Sequence, residues 1–214
     1  DEVLIAATAS DSLQELGFQV VEVGSAKAAL EYAKHSIAKL DVAMVDIGTG
    51  ELAGSIPLES RPGDVAVGPK GIWVTLPDRG AVMLIDPETM TVRDTIDVGA
   101  DPSDISVGEG SVWVTNGGSA SVSRISPETQ RVVQTIPILG GPAGIAVGGG
   151  GVWVANSLGA SVSHIDAESG DLVATIGVGD APIDVALDDR GVWVSNSASG
   201  SVSLIDPATD EEVQ

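Results

Sequence analysis

The sequence predicts a mainly β protein built from one repeating unit, on three observations. Tryptophan recurs at a constant interval, as Trp73, Trp113, Trp153 and Trp193, within GIWVTL, SVWVTN, GVWVAN and GVWVSN. Each unit holds four short β-branched or alternating runs divided by turn signals. After residue 50 no segment carries helical periodicity. A four-stranded antiparallel unit of about 40 residues, repeated radially, is the blade of a β-propeller, which limits exposed sheet edges by stacking blades face to face.

The elements of a unit follow in order. The first run, after Pro62, Pro102, Pro142 or Pro182, reads DVAV, DISV, GIAV or DVAL, and the tryptophan run is the second. The third is AVMLID at 81–86, with SVSRIS, SVSHID and SVSLID at the same phase. Asp-Pro-Glu-Thr (86–89), Ser-Pro-Glu-Thr (126–129) and Asp-Pro-Ala-Thr (206–209) come next, with Pro at the second turn position and Asp or Ser at the first, so a tight hairpin leads to the fourth run. Alternation is weak because a blade is covered on both faces. The count is two outer strands at about 42–46 and 51–57, three complete blades, and three strands of a last blade at 184–206. That makes four to five blades, either an open array or one closed by oligomerisation, unless 51–57 completes the last blade and closes a ring of four.

Residues 1–47 break the repeat. VLIAATASDSLQELG has helical spacing and closes on Gly17, FQVVEVG is a short strand, SAKAALEYAKHSI starts at a Ser N-cap and is again helical, and DVAMVDI is a buried strand. The order is αβαβ, a flavodoxin-like fragment ahead of repeats over 48–214. The segment 42–56 is compatible with both, since Asp46 to Thr49 stands one repeat before Asp86 to Thr89, and Ser55-Ile56 one repeat before Thr95-Ile96. The expectation is a natural or engineered recombinant of two folds joined through this segment. The missing initiator Met and the end at EEVQ, partway into a hairpin, suggest a fragment or chimera.

Composition narrows the partners. With 10 Lys+Arg against 31 Asp+Glu the net charge is −21, which repels a phosphate backbone or an anionic membrane, so neither nucleic acid nor membrane is an expected partner. There is no cysteine, which excludes disulfides, thiol chemistry and Cys-based zinc sites. DEVLIAATAS lacks the basic and apolar regions of a secretory signal. Val132 to Ser163 is uncharged, but its glycines, two prolines and adherence to the repeat period speak for strands, not a membrane helix.

Two families share these patterns. The consensus P-x-D-I-A-V-G-x-G-x-V-W-V-T-N-x-x-x-x-S-V-S-x-I-D-P-x-T, over about 41–214, resembles the YVTN-type, WD40-like propeller repeats of bacteria and archaea. That group includes surface and periplasmic binding modules, sensor regions of membrane kinases and the virginiamycin B lyase group, so the resemblance implies a fold and no single function. Over about 1–47, ELGF-x-VVE-x-GSA-x-x-ALE followed by an Asp at a strand end resembles a response-regulator receiver domain. It implies Asp46 as phosphoacceptor and Asp1 as an acidic Mg²⁺ ligand, a carboxylate nucleophile beside a hard cation. The sequence departs from that family: the first strand is absent, Ile-Gly-Thr-Gly follows Asp46, and the later strands never arrive. The receiver resemblance implies a cytoplasmic setting, the propeller resemblance an extracellular or periplasmic one.

Candidate chemistry is sparse. Asp64, Asp104 and Asp184 open innermost strands and would ring one mouth of a central channel, where carboxylates hold Ca²⁺ or Mg²⁺. The competing reading is that each caps its preceding turn, and Gly144 interrupts the ring in the third repeat. With Asp1 and Asp46 these are the metal candidates, and no other cofactor is expected. The tryptophans are candidates for a cation cage, yet equal placement in every repeat favours packing between blades. Asp86, Asp166 and Asp206 read as hairpin Asx residues, and Asn116, Asn156 and Asn196 as partners for turn backbone groups. His35 and His164 form no pair for acid–base or zinc chemistry, which counts against the histidine and Mg²⁺ chemistry that the lyase resemblance implies. No GxSxG, P-loop or HExxH occurs. The expectation is a non-enzymatic binding or scaffold module with a degenerate receiver-like segment, taking a protein or small-molecule ligand and able to homo-oligomerise through propeller closure. The alternatives are a signalling protein phosphorylated on Asp46 and a metal-dependent enzyme of the virginiamycin B lyase type.

Overall fold

The computed structural model describes residues 41–46, 51–58 and 60–213, with side chains from Gly54 onward. The helices and strand expected over 1–40, with Asp1 and His35, lie outside the described residues. A hairpin of β1 (Asp41–Asp46) and β2 (Glu51–Pro57) precedes four four-stranded antiparallel meanders. Blade one is β3 (Val65–Gly68), β4 (Gly71–Leu76), β5 (Ala81–Asp86) and β6 (Thr91–Asp97). Blade two is β7 (Pro102–Gly108), β8 (Ser111–Asn116), β9 (Ser121–Ser126) and β10 (Arg131–Pro137). Blade three is β11 (Pro142–Gly148), β12 (Gly151–Asn156), β13 (Ser161–Asp166) and β14 (Leu172–Gly177). Blade four is β15 (Pro182–Asp188), β16 (Gly191–Asn196), β17 (Ser201–Asp206) and the short β18 (Glu211–Glu212). The arrangement is consistent with a β-propeller.

The outer hairpins owe their turns to the first turn side chain. Asp86 Oδ1 accepts from the Glu88 and Thr89 N–H groups at 2.8 and 3.1 Å, Asp166 Oδ1 from Ser169 N–H at 2.7 Å, and Asp206 Oδ1 from Ala208 N–H at 2.9 Å. The closing residue is then left-handed in every blade: Met90 at φ 55°, Gln130 at 56°, Gly170 at 76° and Asp210 at 57°. The Thr89 N–H bond, and after it the Arg93 guanidinium on Asp86 Oδ2, holds the Asp86 carboxyl below the usual carboxylate range.

Blades stack through a recurring apolar contact. Between blades one and two, Trp73, Val82 and Ile96 of one sheet meet Ile105, Val112, Val114 and Ile125 of the next. The same positions recur one repeat later: Trp113, Val122 and Ile136 meet Ile145, Val152, Val154 and Ile165, and Trp153, Val162 and Ile176 meet Val185, Val192, Val194 and Ile205. Each blade thus has a trailing face built on tryptophan and a leading face built on Val-x-Val, and burying both supplies the main stabilisation of the array.

The hairpin ahead of blade one joins this series. Val42 pairs with Ile56 as Val82 pairs with Ile96, and the register slips between Met44 and Val45 as it does between Leu84 and Ile85. Ile56 and Leu58 then pack on Ile72, Val74, Met83 and Ile85, the leading face of blade one. β1 is therefore an antiparallel outer strand in blade register, where the flavodoxin-like expectation requires a parallel one. Two further expectations are corrected. β2 pairs with β1 and does not complete blade four, which carries its own fourth strand: Glu211 and Glu212 pair with Asp206 and Ile205.

Candidate functional site

The inner strands bring Asp64, Asp104 and Asp184 together at their starting ends. Asp64 Oδ2 accepts from the Ile105 N–H of blade two at 3.2 Å, and Asp104 Oδ2 accepts from the Ile145 N–H of blade three at 2.7 Å. Asp104 Oδ1 also takes its neighbour's N–H, Ile105, at 2.8 Å, and Asp184 Oδ1 takes Val185 N–H at 2.8 Å. The Asp64 and Asp104 carboxylates staple one blade to the next, a role beyond the turn cap expected. The fourth position is Gly144 because blade four closes in on it: a Cβ there would stand 2.6 Å from Asp184 Cα and from Ile183 O.

The electrostatics follow from crowding. Burial first, then the Asp64 carboxyl beside it, push Asp104 well above the usual carboxylate range, and Asp184 is raised by burial and by Asp64. Oxygens engaged by backbone N–H groups are poor ligands, and among the described residues no group of three or more His, Asp or Glu side chains is arranged to hold a metal ion. Asp46 ends β1 opposite Glu51, the place Asp86 takes opposite Thr91 in blade one.

A raised folded-state pKa has a definite sign. Folded Asp104 binds a proton more tightly than its unfolded counterpart at 3.8, so the penalty is absent below that value and grows as pH rises through the shifted range. Asp104→Asn is therefore expected to gain stability relative to the parent as pH rises from about 4 toward neutrality. Urea midpoints of both proteins across that range check it, and a variant-minus-parent midpoint that stays constant or falls with rising pH contradicts it.

The tryptophans do not converge on a cage. Trp73, Trp113 and Trp153 are sealed between blades at 0, 0 and 1% exposure. Each lies opposite a third-strand residue: Leu84, Arg124 or His164. Arg124 lies over the Trp113 ring at 5.0 Å, and His164 stacks on Trp153 at 3.9 Å and 9°. His164 Nδ1 also lies 2.7 Å from Asp210 Oδ1 on the outer hairpin of blade four. Sequence reasoning gave His164 no partner; its register opposite Trp153 on the preceding strand was the available signal.

Asn116, Asn156 and Asn196 are buried inside the blades, and Asn116 Oδ1 accepts from the Gly99 N–H at 3.1 Å, the turn-backbone role expected of it. Asn116 donates to Ser121 and Ser123 Oγ at 3.2 and 3.0 Å, Asn156 to Ser161 and Ser163 at 3.1 and 2.9 Å, and Asn196 to Ser201 and Ser203 at 3.3 and 2.9 Å. Blade one replaces the whole triad with buried Leu76, Ala81 and Met83. Of these, Leu76 and Met83 pack with Leu58.

Blade four differs from the others in its trailing face. Trp193 is only partly buried, under Arg190 at 4.8 Å, and Val202 is 65% exposed where Val82, Val122 and Val162 are sealed. The Arg190 hydrogen bonds hold Asp188 down to about 2.

No family model and no curated protein matches the chain. Solved structures do. Hydrazine synthase of Kuenenia stuttgartiensis aligns at TM-score 0.66 with 21% identity over 72% of this chain and 48% of its own. Streptogramin B lyase aligns at 0.61 with 17% identity over 69% and 52%. A functionally unknown protein of Desulfotomaculum acetoxidans aligns at 0.66 with 17% identity over 81% and 63%. The likeness is one of fold. These neighbours are β-propeller-like, and the chain spans between about half and two thirds of their length.

Proposed function

We propose that the chain is a non-enzymatic binding and scaffold module that assembles through blade faces, the trailing face of blade four receiving a further blade of the same repeat from a second copy. The observation behind this reading is that, among the described residues, Val202 is exposed and Trp193 only partly buried, at positions whose counterparts are sealed by the next blade in three successive contacts. An apolar surface of known complement favours that complement over water. In a second copy the leading face of blade one must first give up Ile56 and Leu58, after which association is head to tail and closes into a ring or extends. The acidic surface, with net charge −21, opposes assembly at low ionic strength.

Sedimentation velocity over a concentration series at moderate salt tests it. The expected result is a species larger than the 21.5 kDa monomer that grows with concentration and disappears in Val202→Asp, a change at an exposed position that leaves the blade folded. A particle that stays monomeric at about 100 μM, or a larger species indifferent to Val202→Asp, overturns it.

A further inference from the structure

Blade three departs from its neighbours on the face where the inner strands begin. Two loops meet there in blades two, three and four, one leading into the inner strand and one joining the second strand to the third. They are tied by equivalent backbone bonds: Gly118 N–H to Ala100 O at 3.1 Å, Leu158 N–H to Gly140 O at 2.8 Å, and Ala198 N–H to Asp180 O at 3.1 Å. Where blades two and four carry Gly99, Gly118, Gly179 and Ala198, blade three carries Leu139 and Leu158, exposed by 86 and 88%. Gly141 accommodates the change, since a Cβ there would stand 2.9 Å from Leu158 Cγ.

Charge changes along with shape. The same loop holds Asp101 in blade two and Asp180 in blade four, but only Gly140 and Gly141 in blade three, and Gly144 replaces the inner-strand aspartate. Two bare leucines on hydrogen-bonded loops thus occupy an uncharged sector, bracketed by Asp101 and Asp104 on one side and Asp180 and Asp184 on the other. Isolated exposed leucines need no explanation; a pair on adjoining loops, with the acidic rim interrupted beneath it, does.

We propose that this sector binds a basic peptide segment of a partner protein, one that presents bulky apolar side chains between lysines or arginines. The apolar side chains cover Leu139 and Leu158, while the flanking cations meet the loop carboxylates Asp101 and Asp180, which also steer the approach. The proposal rests on the reading of the chain as a binding module, but uses a different surface from the one that holds Trp193 and Val202.

Fluorescence anisotropy with a labelled peptide Arg-Lys-Leu-Leu-Lys-Arg, and its counterpart with serine for both leucines, tests it on the full chain carrying Val202→Asp. That background removes blade docking, so failure of assembly and failure of this site are read separately. The expected result is preference for the leucine peptide, lowered about ten-fold by Leu139→Ser with Leu158→Ser while the urea midpoint holds. Asp101→Asn with Asp180→Asn should weaken both peptides and flatten their salt dependence. Absence of binding, equal binding of the two peptides, or indifference to the leucine changes overturns the proposal, since general acidity alone would then account for any signal.

Discussion

Trp153→Ala is expected to lower the unfolding free energy by about 3–5 kcal/mol, the range for a large aromatic removed from a closed core. Trp153 is 1% exposed, sits among Val162, Ile176, Val185, Val192 and Val194, and carries the stacked His164 on its ring. Removing it opens a cavity shared by two blades and leaves the imidazole without its platform. Trp193→Ala, at the same repeat position, is expected to cost under about 2 kcal/mol, because its face is only partly withdrawn from water. Urea unfolding of the two variants side by side checks this. Equal losses would mean that the trailing face of blade four is as well covered as the others.

The second large effect is expected at Asn156. Its amide donates to Ser161 and Ser163 with no solvent at hand, so Asn156→Ala strands two buried hydroxyls and is expected to cost about 2–3 kcal/mol. Blade one shows the compensated alternative, with Leu76, Ala81 and Met83 in those three places. Asn156→Leu combined with Ser161→Ala and Ser163→Met is therefore expected to recover most of the loss, because a wholly apolar cluster has no unmet hydrogen bonds. Denaturant midpoints of the single and triple variants decide it, and a triple variant no better than Asn156→Ala refutes the idea that the triad acts as a unit.

Much of the blade was legible in the sequence because its determinants are local or periodic. The tryptophan spacing, the Asp-Pro turns and the phase of 42–56 against 82–96 all lie within one unit or its repeat. Less legible were features that depend on neighbours from another sheet. The link from Asp104 to Ile145 joins two blades, as does the contact between His164 and Asp210. β18 is two glutamates with no β-branched residue, so its pairing rests on the β17 partner and not on propensity. The exposure of Leu139 and Leu158 was hidden for a related reason, since a leucine in a repeat reads as core until the loops that carry it are placed.

The polarity of the stack has a mechanical consequence. Each sheet is held by the one before it and the one after it, except that the first leans on Ile56 and Leu58 while the last, among the described residues, has a neighbour on one side only. As long as no sheet lies on its trailing face, blade four is the weaker end under a pulling force or rising temperature, and the described array should peel from blade four toward blade one, sheet by sheet. Amide exchange would then be graded along the chain, fastest in β15 to β18. A partner seated on Trp193 and Val202 would act as a clasp, raising the resistance of the whole stack by securing its last member.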